Sequence, residues 1–141
     1  MIGRETEEAS PVTLYHWHTV LIVDDDPEAL SALRRLLDRE PYDVITTDRP
    51  ALALDWVDRK SISLAISDQR MPEMDGDVLL EGVWKKSPAT ARLLLTGYPE
   101  AVDRIPPSRK ALLKVMAKPW NDEFLKRTIR RLLRDREASV A

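Results

Sequence analysis

Four places in the chain carry side chains able to do chemistry, and each stands at the end of an apolar run. Asp24, Asp25 and Asp26 follow VLIV, Asp68 follows LAIS, Thr96 closes RLLLT, and Lys118 follows VMA. An ionised carboxylate at the end of a buried strand is costly unless something compensates it. If these groups share one edge, several carboxylates within a few ångströms repel strongly, and one lysine cannot neutralise them all. A hard divalent cation can. Mg²⁺ takes a few carboxylate oxygens, retained waters and a phosphate oxygen. Asp25 and Asp68 would be direct ligands, with Asp24 acting through water. A carboxylate nucleophile beside such an ion accepts a phosphoryl group, giving an aspartyl phosphate. The Thr96 hydroxyl and the Lys118 ammonium would then bind the phosphoryl oxygens where negative charge arrives.

The elements that must position these groups are legible from Val20 onward, where short apolar runs alternate with longer amphipathic segments. VLIV, DVIT, LAIS, RLLLT and LLKVMA are the expected strands. VLIV and LAIS lack polar alternation, which suits central parallel strands covered on both faces. Asp26-Pro27 reads as an N-cap followed by proline at the first helical position, with Leu30, Leu33 and Leu37 at helical spacing and a stop by Pro41. Further helical segments open at Pro50, Asp77 and Asn121. Right-handed crossovers then require helices on both sheet faces, a doubly wound open α/β sheet. In such sheets the ligand site lies beyond the carboxyl ends of the strands, where strand order reverses. All four polar positions fall on that edge. Taken singly each has a plainer explanation: Asp26 merely caps a helix, Thr96-Gly97 ends a strand, and Lys118-Pro119 marks a turn. Their joint placement is what those explanations leave over.

Composition narrows the remaining classes. The length suits one domain with a real core, divided as a tail over 1–19, the folded unit over 20–136 and a second tail over 137–141. A third of the residues are charged, yet the net charge is only -2, so neither nucleic acid nor an anionic membrane is indicated as a partner. There is no cysteine and no apolar stretch of membrane-spanning length, so a cytoplasmic location is expected. His16 and His18 would share a face in an extended tail, but two histidines without a third ligand make a weak metal site. Lys126, Arg127, Arg130, Arg131 and Arg134 read as a solvated helical face rather than a DNA-reading one.

VLIVDDDP, ISDQRMPEMDG, LLLTG and AKPW, in this order and spacing, resemble the receiver domains of two-component response regulators, over residues 20–134. The resemblance implies a flavodoxin-like five-stranded parallel sheet of order 2-1-3-4-5. It also implies Asp68 as phospho-acceptor, Asp24 and Asp25 as the acidic metal pair with the Arg70 main-chain carbonyl completing the shell, Thr96 as switch hydroxyl and Lys118 as phosphate-binding lysine. Further implications are Mg²⁺, a sensor histidine kinase or phosphotransfer protein as donor, an unknown downstream protein contacted through the last helices and strand, and a cis bond before Pro119. Arg70 and Tyr98 occupy the positions that govern phosphate lifetime in this family.

Two departures stand out. Val115 replaces the switch aromatic, so a ring cannot swing inward. Pro106-Pro107 interrupts the fourth helix, which should be short or broken, so that reordering of residues 98–109 would do the switching. Two other readings compete. A Mg²⁺-dependent aspartyl-nucleophile phosphatase or phosphotransferase would need a second acid where Arg70 stands, and a cap for which no insertion is long enough. A degenerate receiver that binds partners without phosphorylation conflicts with the full set Asp25, Asp68, Thr96 and Lys118.

Overall fold

Strand-forming runs without polar alternation need apolar cover on both faces, and the computed structural model, which describes residues 17–100 and 110–140, supplies it. The strands β1 (Thr19–Val23), β2 (Asp43–Thr47), β3 (Leu64–Asp68), β4 (Ala91–Thr96) and β5 (Leu113–Ala117) form one parallel sheet of order β2-β1-β3-β4-β5. The helices are α1 (Pro27–Leu36), α2 (Pro50–Arg59), α3 (Gly76–Lys86) and α4 (Asp122–Val140). This is the expected flavodoxin-like topology, with strand order reversing between β1 and β3.

The period-2 alternation of strand side chains divides the core in two. Val20, Ile22, Leu64, Ile66, Leu93 and Leu95 pack with Leu33 of α1 and with Leu125, Ile129, Leu132 and Leu133 of α4. Leu21, Val23, Ala65 and Leu94 point the other way, against Ala53 and Val57 of α2 and Leu79, Leu80 and Val83 of α3. Each fully buried aliphatic side chain contributes about 1.5–3 kcal/mol by leaving water. Arg92 interrupts this pattern. It is buried in β4, between β3 and the edge strand β5, its guanidinium donates to the Ala111 carbonyl at 2.9 Å, and burial pushes its pKa down to about 10.

Local signals set the ends of these elements. Asp26 caps α1, its carboxylate accepting from the Glu28 amide at 3.0 Å, and Pro27 stands in the first turn. β5 starts at Leu113, one residue later than the apolar run, because Leu112 has φ 59 and closes a turn in which the Leu113 amide donates to the Lys110 carbonyl. The basic face of α4 is engaged locally. Arg130 forks onto both Glu40 carboxylate oxygens at 2.9 Å, Lys126 lies 3.7 Å from Glu123, and Arg127 sits over the Phe124 ring.

The described elements reach into the stretches expected as tails. His18 and Thr19 are buried: β1 begins at Thr19 in register with Asp43, and His18 Nδ1 meets Ser63 Oγ at 2.7 Å. At the other end α4 runs through Val140, since nothing after Arg136 breaks a helix. Glu137 Oε1 comes within 3.5 Å of both Arg136 Nη1 and His18 Nε2, tying the last turns to the start of β1. His16 lies outside the described residues, as does Pro106-Pro107, on which the expected break in the fourth helix falls.

Candidate functional site

Register alone brings two of the carboxylates together. Ile22 of β1 pairs with Ile66 of β3, and Asp24 and Asp68 each lie two residues further on, on the same face of adjacent strands. Asp24, Asp25 and Asp68 offer carboxylate oxygens that all lie within 4.8 Å of one another. Asp24 and Asp68 are buried while Asp25 is exposed. Burial pushes the Asp24 carboxyl above its usual value, and the charges of Asp68 and Asp25 push it the same way. The Asp26 amide, donating to Asp24 Oδ1 at 2.9 Å, and the Lys118 ammonium work against this rise.

Lys118 reaches the same point from beyond β5, its ammonium forming an ion pair with Asp68 Oδ1. Its amide donates to the Thr96 carbonyl at 2.9 Å, which extends the pairing of β4 with β5 past Thr96 and Ala117. The Lys118-Pro119 bond is cis. Thr96 is buried at the end of β4, and its hydroxyl accepts from the Tyr98 amide at 3.0 Å. Three carboxylates against one ammonium leave an excess of negative charge, and an all-oxygen donor set of this kind fits a hard cation such as Mg²⁺.

The turn after Asp68 is tightly held. The Gln69 amide donates to the Leu95 carbonyl at 3.0 Å, and its own carbonyl accepts from Gly76 at 2.9 Å. Gly76 is obligatory here: a Cβ on it would stand 2.1 Å from the Asp68 carbonyl oxygen and 2.9 Å from Leu94 Cδ1. Met71 is buried and pins the loop into the second apolar cluster. Arg70 projects outward, and its guanidinium carbon lies 5.3 Å from the centroid of the exposed Tyr98 ring.

Asp24, Asp25, Asp68 and Lys118 thus converge as expected from the sequence, with Thr96 on the neighbouring strand end. Arg70 and Tyr98 meet each other at the rim. Val115 is half-buried against the α2–α3 side of the core. Two groupings escaped the sequence reading. Gln69 is polar in a place where only its structural partners explain it, and the His18, Ser63 and Glu137 grouping joins residues far apart in the chain. The excess polarity of a buried-strand flank, as in His18-Thr19 and Ser63, was the available signal for the second.

A parallel sheet of this order with an acid trio and a lysine across its switch point places the charged site where doubly wound sheets bind their ligands. The family model described as Response regulator receiver domain matches residues 20–130, and the chain belongs to that family. Phosphorylation-dependent signalling is the family's role. The chain is 33% identical over 110 residues to the transcriptional regulatory protein GlrR of Escherichia coli (strain K12), covering 78% of this chain and 25% of that protein. It is 34% identical over 115 residues to the transcriptional regulatory protein CpxR of the same organism, covering 82% and 49%. The chain therefore spans between a quarter and a half of these curated relatives.

Among solved structures, an uncharacterized protein from Neptuniibacter caesariensis superimposes with a TM-score of 0.76 at 36% identity, over 86% of this chain and 91% of that one. The response regulator TrrA of Thermotoga maritima, solved in complex with Mg²⁺-BeF, gives 0.71 at 25%, over 82% and 98%. Among the described residues no helix is long and apolar enough to cross a membrane.

Proposed function

We propose that this chain accepts a phosphoryl group on Asp68 from the phosphohistidine of a sensor kinase or phosphotransfer protein, and signals through contacts with a downstream protein. The carrying observation is the ion pair between Lys118 and Asp68 beside the carboxylates of Asp24 and Asp25. An Asp68 carboxylate oxygen attacks phosphorus in line, the bond between phosphorus and the donor imidazole nitrogen breaks, and the imidazole leaves to be reprotonated from solvent. Lys118 then moves from the carboxylate to a phosphoryl oxygen, so its charge follows the charge that arrives. Thr96 turns its hydroxyl from the Tyr98 amide to donate to a second phosphoryl oxygen, drawing the loop after β4 inward.

Asp25 and Asp68 would hold Mg²⁺ directly, Asp24 through water, with the Arg70 carbonyl completing the shell. The ion, when bound, offsets the carboxylate repulsion and the charge of the phosphoryl group. With Val115 in place of a switch ring, no ring can swing inward, and the readout starts from the Thr96 hydroxyl and the Tyr98 amide it holds. Catalysis is confined to transfer onto Asp68 and hydrolysis from it, in the cytoplasm.

Intact-mass measurement after incubation with Mg²⁺ and a small acyl phosphate tests this. One labile phosphoryl adduct is expected on the parent and none on Asp68→Asn. An adduct that survives in Asp68→Asn would move the acceptor elsewhere, and turnover of the donor without any adduct would favour a phosphatase.

A further inference from the structure

The start of α3 is capped in an unusual way. Its N-cap residue, Asp75, makes no side-chain cap hydrogen bond, although the first amides of a helix need acceptors from outside the helix. Gln69, several residues upstream, supplies two of them. Its main-chain carbonyl accepts from Gly76 at 2.9 Å, and its side-chain Oε1 accepts from Asp77 at 2.8 Å. The next amide, Val78, is taken by the carboxylate of Asp77 at 2.9 Å. The Gln69 amide is meanwhile bound to the Leu95 carbonyl at 3.0 Å, next to Thr96. One buried residue therefore joins the ends of β3 and β4 to the first turn of α3.

We infer that Gln69 is a positioning residue for the phosphoryl-acceptor site, acting as a brace that fixes both ends of the 69–76 loop. This rests on the reading of Asp68, Asp24 and Asp25 as that site. Gln69 stands between Asp68 and Arg70, so the geometry of residue 69 sets how the acceptor carboxylate leaves its strand and where the Arg70 carbonyl is presented. Met71 anchors the middle of the loop by burial, but burial of a thioether does not define the direction of a neighbouring carbonyl. The hydrogen bonds of Gln69 do.

The chemistry also accounts for the residue type. Asp or Glu is favoured near a helix N-terminus on electrostatic grounds, and either would accept from Asp77. Next to Asp68, with Asp24 and Asp25 close by, a further carboxylate would add to repulsion the site already carries. A neutral amide oxygen closes the helix end without adding charge. Leucine would match the bulk and leave the Asp77 amide without its acceptor.

The experiment uses the full chain as parent, Gln69→Leu, Gln69→Glu and a core variant, Ile129→Val, lying in α4 away from the loop. Mg²⁺ affinity by titration calorimetry, the rate of phosphorylation by a small acyl phosphate at saturating Mg²⁺, and exchange of the Asp77 amide are measured together. Gln69→Leu is expected to lose about tenfold in Mg²⁺ affinity, the low end for removing a group that orients a metal ligand. It should also phosphorylate more slowly and exchange the Asp77 amide faster. Gln69→Glu, which keeps an acceptor, should hold Asp77 protection and Mg²⁺ affinity at or above the parent's. Ile129→Val lowers melting temperature but should leave affinity and rate unchanged, separating a brace from general stability. Parent-like Mg²⁺ affinity and rate in Gln69→Leu would overturn the inference alone. A parent that neither binds Mg²⁺ nor takes a phosphoryl group would overturn the acceptor-site reading, and the brace with it.

Discussion

The guanidinium of Arg70 lies over the ring of Tyr98, 5.3 Å from its centroid, at the rim of the site that holds Asp68. Hydrolysis of an aspartyl phosphate needs a water in line with phosphorus, and a stacked pair at the rim narrows that approach. Cation–π contacts of this kind are worth about 1 kcal/mol. Arg70→Ala and Tyr98→Ala should each speed phosphate loss by about fivefold on that figure. Because each partner depends on the other, the double variant should decay little faster than either single one. Timed phosphate release from the four proteins checks this. A common rate for all four would leave neither residue gating water.

Asp24 carries a cost in the metal-free protein. Burial foremost holds its carboxyl above the ordinary value of 3.8. The folded state therefore binds that proton more tightly than the unfolded chain does. The associated stability is complete below 3.8 and is lost as pH rises through the folded value. Asp24→Asn should raise the melting temperature by a few degrees at pH 7, and the gain should vanish near pH 3.5. Thermal melts at the two pH values decide it; an equal gain at both would exclude ionisation of Asp24 as the cause.

Mg²⁺ should stabilise the parent with the logarithm of its concentration above the dissociation constant, since it binds the folded state alone. Asp25→Ala should remove that response. Melting curves across a Mg²⁺ series provide the test, and chelator should restore the metal-free value. An undiminished Mg²⁺ response in Asp25→Ala would place the ion elsewhere.

His18 behaves in the opposite sense to Asp24. Burial lowers its pKa below 6.5, with Arg136 acting the same way and Glu137 opposing both. The unfolded chain then binds the proton more readily. Stability is full above 6.5 and falls as pH drops from there to the folded value. His18→Asn retains an acceptor for Ser63 and does not titrate, so urea midpoints at pH 5.5 and 7.5 should lie closer together than the parent's. An unchanged gap would assign the slope to other groups.

Gly76→Ala should be among the most damaging single substitutions. Its Cβ would stand 2.1 Å from the Asp68 carbonyl oxygen, which is backbone and cannot turn aside. A loss of about 3 kcal/mol or more is expected from such overpacking, together with loss of phosphorylation, because the displaced carbonyl belongs to the acceptor. Parent-like urea midpoints would show that the loop can yield.

Strand order, the two-sided core and the convergence of Asp24, Asp25, Asp68 and Lys118 were legible because each follows from local pattern plus one topological rule. Apolar runs such as LAIS mark central strands, and residues ending parallel strands share an edge. The role of Gln69 was not legible, since a glutamine after a strand has many possible partners and only the fold brings the Asp77 amide to it. The same holds for His18, whose partners Ser63 and Glu137 lie far along the chain; PVTLYHWHT has too little periodic pattern to mark a strand start. Helix ends without glycine or proline, as after Arg136, carry no stop signal to read.

Arg92 has a consequence outside the native state. ARLLLT carries three consecutive leucines, and before β3 and β5 flank it this segment is a ready template for pairing between chains. A charge inside the run hinders such stacking while the chain is still unfolded. Once β4 lies between β3 and β5 that charge is enclosed, and its hydrogen bond to the Ala111 carbonyl offsets part of the desolvation. Arg92 thus trades native stability for safe passage through synthesis. Arg92→Leu should accordingly scatter more light on refolding from urea at micromolar concentration, even where its folded form melts no lower than the parent.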